Sequence, residues 1–213
     1  MKSNLLRQVL AGKTLGRVLF NELVVKYCAS LQGSVLDLGG GASPGYLRYL
    51  SHNVSYTRTD LRASDGVSAV DLNKLLPFPD ESFDAALLFN SLYILEDQHM
   101  SLREIHRILK KGGRLFLSSP FIASEIPEPH DYMRFTAEGM ERLLVEAGFE
   151  VEALERMGGR VSAAANLLHP LFLFSIIRVP VYTCALALDR LIARMGKDRY
   201  ITPIGYFAVA KKQ

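Results

Sequence analysis

Between residues 4 and 30 apolar positions recur every three or four places, at Leu5, Leu6, Val9 and Leu10 and then Leu15, Val18, Leu19, Leu23 and Val24. That spacing predicts one or two amphipathic helices resting on a larger body. Gly33 ends the pattern, and the apolar run changes character. Residues 35–38 read as a short buried strand entering Gly39, Gly40 and Gly41, and Ser43-Pro44 supplies an N-cap with proline at the first position of a following helix. Strands follow near 54–59 and 67–70, ending at Asp60 and Asp71, and FDAALLF at 83–89 has the unbroken apolar character of a strand covered on both faces. Leu102, Ile105 and Leu109 mark a helix over 97–109, with Lys110 and Lys111 in its last turn and Gly112 as its stop. A strand over 114–119, a helix over 137–147 and strands over 149–154 and 205–210 complete the alternation. Strands alternating with helices predict an α/β sheet with helices on both faces.

Composition narrows this reading. The 213 residues are 49% hydrophobic and 22% charged, which suits one globular domain over 1–213, with N-terminal helices in 1–32 and an insertion in 157–200. Cys28 and Cys184 lack any paired or metal-binding spacing, so a reducing, cytoplasmic compartment and no structural metal are expected. Arg7, Lys13 and Arg17 interrupt the opening residues, and no cleaved secretory signal is expected there. A net charge of +3 is too small to argue for nucleic acid.

The candidate chemistry gathers at predicted strand ends: Asp37 with Gly39, Gly40 and Gly41, then Asp60, Asp71 with Leu72, and Asn90. In an α/β sheet ligands bind beyond the carboxyl ends of the strands. Glycines let the backbone approach a ligand, and an acid nineteen residues after Gly41 stands where a ribose diol would be held. The pattern points to an adenosine. Asp37 ahead of the loop would repel a pyrophosphate and suits a cationic amino-acid tail.

VLDLGGGASP, TDLRASD, VDLNKLLPFPDESFDAALLFNSLYILED, EIHRILKKGGRLFLSSPF and HDYMRFTAEGMERLLVEAGF, covering roughly 34–155, together with the closing IGYFAVAKK, resemble the class I S-adenosylmethionine-dependent methyltransferases. The resemblance implies a Rossmann-like seven-stranded sheet in the order 3-2-1-4-5-7-6 with the seventh strand antiparallel. It implies that Asp37, Gly39 and Gly41 cradle the methionine moiety of S-adenosylmethionine, that Asp60 takes the ribose hydroxyls, that Asp71 and Leu72 flank the adenine, and that Asn90 lies under the sulfonium. Many relatives carry a Glu-His pair just after the fourth strand, where this chain has Tyr93 and Ile94. A base is sought instead in the loop EPHDYMRFT, where His130 or Tyr132 would face the acceptor and Arg134 would bind an acidic group on it. The acceptor is read as small or lipid- or glycan-linked and methylated on oxygen. The rival reading is a non-catalytic S-adenosylmethionine-binding module or scaffold.

The segment before the last strand is the compositional exception. Residues 161–177 carry no formal charge, and Arg156, Arg160, Arg178, Arg190, Arg194, Lys197 and Arg199 face only Asp189 and Asp198. Two apolar runs of seventeen and ten residues, broken by His169-Pro170 and Pro180, are too short to cross a bilayer and return. Two readings remain. In one, Leu167, Leu168, Leu171, Phe172, Phe174, Ile176 and Ile177 dip into a membrane surface, the inner one for a cytoplasmic protein, while Arg178, Arg190, Arg194 and Arg199 meet anionic head groups, a peripheral contact through 161–194. In the other, favoured on frequency, the same side chains pack on the N-terminal helices and roof the substrate pocket.

Overall fold

The computed structural model describes residues 2–127, 129–172, 174–196 and 200–213. Lys197, Asp198 and Arg199 of the charge pattern above lie outside them. Helices α1 (Lys2–Leu10) and α2 (Leu15–Cys28) precede the sheet, whose strands are β1 (Gly33–Leu38), β2 (Val54–Asp60), β3 (Ser68–Ala69), β4 (Phe83–Phe89), β5 (Leu109–Pro120), β6 (Phe149–Met157) and β7 (Gly205–Lys212). Helix α3 (Gln98–Ile108) precedes β5 and α4 (Ala137–Glu146) precedes β6, while α5 (Arg160–Leu167) and α6 (Ser175–Arg194) fill the stretch before β7. The sheet order is β3-β2-β1-β4-β5-β7-β6, with β7 antiparallel to both neighbours, as expected from the resemblance.

Alternation along the strands builds two apolar layers. Leu36, Leu38, Ala86, Leu88, Leu115, Leu117, Ala208 and Ala210 face one way, against Leu102, Ile105, Met140 and Leu144 of α3 and α4. Val35, Ala85, Leu87, Phe89, Phe116, Phe207 and Val209 face the other, against α1, α2, α5 and α6. Successive residues of the central strands are thus buried on opposite faces, which is why β4 is apolar from Ala85 to Phe89, the half-buried Asp84 near its start pairing with Lys110.

Two expected helices are revised. The helix expected after the glycine loop is a single 3-10 turn, Leu47–Tyr49. Only the ten residues 44–53 separate the loop from β2, too few for an ordinary crossover helix, and Tyr46 among them is turned inward and buried. At the other site α3 stops at Ile108. Leu109 enters the sheet opposite Phe83, and the register then jumps to Ala85 opposite Arg114, so Lys110, Lys111 and Gly112 (φ +76°) form a bulge inside β5 rather than a helix end.

The insertion also departs from the roof reading. Tyr182, Ala163, Ala165 and Ala185 are buried against the layer of α1 and α2, and Asn166 Oδ1 accepts a bond from Gly16 N at 2.9 Å. Leu167, Leu168, Leu171, Phe174, Ile176 and Ile177, however, are exposed and roof nothing, while Phe172 is half-buried. Among the described residues no helix is long and apolar enough to cross a membrane.

Candidate functional site

The glycine loop leaves β1 where β2 and β4 also end. Gly39 and Gly41 hold φ of +82° and +68°, a region that L side chains rarely adopt. A Cβ on Gly39 would lie 2.7 Å from Ser91 Oγ, one on Gly40 would strike the Asp37 carboxylate, and one on Gly41 would lie 3.1 Å from Asp60 Oδ2. The loop therefore runs in close contact with three side chains from three strand ends, and glycine is favoured by φ at Gly39 and Gly41 and by space at Gly39 and Gly40.

Asp37 is fully buried beneath this loop. Tyr46 Oη donates to its carboxylate at 2.8 and 2.9 Å, and the Tyr56 hydroxyl donates to it as well. Burial pushes Asp37 up to about 6, and the two phenol donors restrain the rise. Its backbone carbonyl accepts from Thr59 Oγ1 at 2.8 Å, which ties β1 to β2 at the mouth of the site. Both carboxylate oxygens are thus engaged by the protein's own hydroxyls.

A cleft of about 850 Å³ opens beside the loop, within the range of small-molecule and cofactor sites. Gly39, Asp60, Asp71, Leu72 and His130 line it, joined by Ser91, Ile94 and Leu95. Asp60 Oδ1 accepts from Leu61 N at 2.6 Å, leaving the other oxygen toward Gly41. Asp71 lies below the ordinary carboxylate range because Asn73 N donates to it, helped by Lys74 at 3.2 Å. Leu72 serves both the cleft wall and the core.

Asn90 falls elsewhere. It sits at the end of β4 with φ +53°, tolerated by asparagine better than by most residues, and its Oδ1 accepts from Ser118 Oγ at 3.3 Å. It lines a second cavity of about 350 Å³, whose walls include Arg17, Phe20, Tyr93, Ile122, Met157, Asn166, Ile204 and Arg134. The two spaces are separated by residues 90–94, with Ser91 and Ile94 on one side and Asn90 and Tyr93 on the other.

The loop bearing the expected base lies across this partition. The backbone N–H groups of Tyr132 and Met133 donate to the Tyr93 carbonyl at 3.0 and 3.3 Å. His130 faces the larger cleft and stacks on Tyr132 with ring centroids 5.1 Å apart, while Tyr132 lines neither space. Arg134 is held by both oxygens of Asp131 and lies 5.1 Å over the Tyr93 ring, so its charge is already matched. Arg17 is the contrast. It forms no ion pair among the described residues, rests 5.2 Å from the Phe20 ring, and burial lowers its pKa. Sequence reasoning missed Ser91, Arg17 and Tyr46. The last two lie within runs read only for helix, and only the packing of α2 and of the 3-10 turn carries them to the site.

Residues 36–117 match the family pattern described as a methyltransferase domain. In this match, over well under half of its length, and in its sheet order, the chain is similar to the class I S-adenosylmethionine-dependent methyltransferases. The chain is 34% identical over 86 residues to the O-methyltransferase resE of Aspergillus sclerotiorum, covering 36% of this chain and 33% of that protein. It is 31% identical over 103 residues to the ubiquinone/menaquinone biosynthesis C-methyltransferase UbiE of Hahella chejuensis, covering 39% and 41% respectively. The chain thus spans well under half the length of these curated relatives. A solved S-adenosylmethionine-dependent methyltransferase from Mesorhizobium loti shares the fold at a TM-score of 0.58 and 18% identity, over 95% of this chain and all of that one.

Proposed function

We propose that the chain transfers a methyl group from S-adenosylmethionine to an oxygen of a small or amphiphilic acceptor. The observation that carries this reading is the meeting of the glycine loop with Asp60 at the rim of the larger cleft, where Gly41 has a positive φ and a Cβ would lie 3.1 Å from Asp60 Oδ2. The residues fit the cofactor. Asp60 would accept the ribose hydroxyls, Asp71 and Leu72 would bound the adenine, and the backbone at Gly39 and Gly41 would run beside the methionine moiety. Asp37, with both oxygens engaged by Tyr46 and Tyr56, acts in this reading by bracing the loop from below Gly40.

When bound, the cofactor supplies a methyl group on a sulfonium that leaves as a neutral thioether. The chain's part is then alignment and exclusion of water. The second cavity would take the acceptor, with Phe20, Ile122, Met157 and Ile204 as apolar walls and Asn90 at the partition. Arg134 is matched by Asp131, so Arg17 becomes the cation that meets an acidic group on the acceptor. His130 lines the larger cleft and not the second cavity, so it would accept the proton only from an acceptor whose reacting oxygen reaches past Asn90 into that cleft. The O-methyltransferase relative supports oxygen, and the C-methyltransferase relative makes carbon the competing choice.

The test is a thermal-shift titration with S-adenosylmethionine and its demethylated product, repeated with Asp60→Ala, followed by an acceptor screen that reads release of the product. A ligand at a hundred times its dissociation constant stabilises by about 2.7 kcal/mol, or roughly 5 to 10 °C for a chain of this size. A shift abolished in Asp60→Ala, followed by turnover that falls in His130→Ala, supports the proposal. The absence of a shift sinks it. Binding without turnover on any acceptor favours the scaffold reading, for which the relevant observation is that Tyr93 and Ile94 occupy the Glu-His positions and serve as walls of the two spaces.

A further inference from the structure

The outer face of α5 and α6 is apolar along its length, and its charge has one sign. On α6 and at its C-cap the residues Ile177, Leu188, Leu191 and Met195 recur at helical spacing and are all exposed. At its start the turn between the helices presents Leu171, Phe174 and Ile176 at 71%, 65% and 73% exposure. An open groove of about 500 Å³, walled by apolar side chains such as Val161, Phe172 and Val181, runs between the two helices. A twenty-residue helix is about 30 Å long, so this is a surface and not a scattered set of leucines.

The charges decide what it fits. Asp189, the one acid described between 158 and 196, is turned inward. Its carboxylate accepts from Gly159 N, Val161 N and Ser162 N at 2.9 to 3.0 Å and so caps α5. That leaves Arg190 and Arg194 exposed beside the stripe with no ion pair among the described residues. Arg190 senses Glu22 of α2 without forming an ion pair with it. Arg160 and Arg178 donate to the neutral carbonyls of Tyr200 and Phe172. An apolar stripe flanked by arginines, with the local acid withdrawn, has the make-up of a helix lying in a lipid interface rather than across it.

We propose that the α5–α6 face docks in the plane of an anionic lipid bilayer, with Leu171, Phe174 and Ile176 entering the acyl boundary and Arg190 and Arg194 at the head groups. The proposal is independent of the methyl-transfer reading. It gives the exposed side chains an environment that the body of the protein withholds.

Co-sedimentation of the full chain with vesicles of phosphatidylcholine, and of phosphatidylcholine carrying a minority of phosphatidylglycerol, tests it directly. Binding is expected on the anionic vesicles and to be much weaker on the neutral ones. Arg190→Ala and Arg194→Ala should each weaken it about fivefold. Ile176→Asp with Leu191→Asp should weaken it more than tenfold. All four positions are exposed, so unchanged melting temperatures will show that the fold is retained. Equal binding to neutral vesicles, no binding to either, or binding that survives the aspartate pair overturns the proposal. So does light scattering that shows a stable dimer split by the aspartate pair, since a second copy would then cover the face.

Discussion

At the scale of single residues, Gly39 and Asp37 carry the largest local constraints. In Gly39→Ala both the left-handed backbone and the 2.7 Å approach to Ser91 must be accommodated, and we expect a loss of about 1–3 kcal/mol. Calorimetry reads the melting temperature, and titration with S-adenosylmethionine should find binding weakened beyond what destabilisation explains. Asp37 makes a pH prediction with a definite sign. Its folded value of about 6 is above the ordinary carboxylate value of about 3.9. The folded state therefore holds a proton that the unfolded state has released, and the contribution of this group to stability is full below pH 4 and is lost as pH rises through 6. Relative to wild type, Asp37→Asn should remove that loss, a difference on the order of 2 kcal/mol between pH 4 and 7 at 1.36 kcal/mol per tenfold change. Denaturant unfolding across that range measures it, and parallel wild-type and mutant curves would refute the assignment.

At the scale of elements, the N-terminus of α5 depends on a side chain nearly thirty residues away. Gly159 offers no side-chain cap of its own, and Asp189 of α6 satisfies three backbone donors there. Asp189→Ala should cost about 1–2 kcal/mol, the upper part of the range for a lost cap, and lower the melting temperature by roughly 2 to 8 °C. Asp189→Asn should restore part of it. Hydrogen exchange confined to 159–162 would separate this from a general weakening. The same pair of helices also holds α2, since Asn166 bonds Gly16 in the first turn of α2, one residue from Arg17. Loosening α5 should therefore reach the second cavity.

At the scale of the whole molecule, the aromatic cluster of Phe20, Tyr27, Tyr46, Phe89 and Phe207 joins the N-terminal helices to the sheet. Phe207 on β7 has centroids at 5.7 Å from Phe89 and 5.8 Å from Tyr27, and Phe20 reaches both Phe89 at 5.0 Å and Tyr46 at 5.9 Å. Tyr46 in turn donates to Asp37, so the core beneath α2 and the floor of the glycine loop are one packed unit. Phe207 is fully buried. Phe207→Ala should cost about 3–5 kcal/mol, or roughly 6 to 20 °C in melting temperature, and weaken ligand binding although Phe207 lines neither of the two spaces of the site. Unchanged ligand affinity in a destabilised Phe207→Ala protein would show that core and loop are uncoupled.

What the sequence determined by itself was whatever depends on local period and on strand ends. Seven strands, the α/β class and the acids at 37, 60 and 71 could be read because a buried strand, its glycine turn and its terminal acid are consecutive in the chain. The motif residues Gly39, Asp60, Asp71 and Leu72 meet at one cleft for the same reason. Tertiary structure decided everything that required a partner distant in sequence. Arg17 reads as a residue of the N-terminal helices, and only the packing of α2 carries it to the cavity beside Asn90. The helix after the glycine loop is replaced by a 3-10 turn, beside which Tyr46 is buried and donates to Asp37. The end of α3 gave way because Leu109 is buried in the sheet. The direction of the apolar insertion was undetermined in one dimension: the same leucines fit a roof or a surface, and only packing shows which side of each helix the body already occupies.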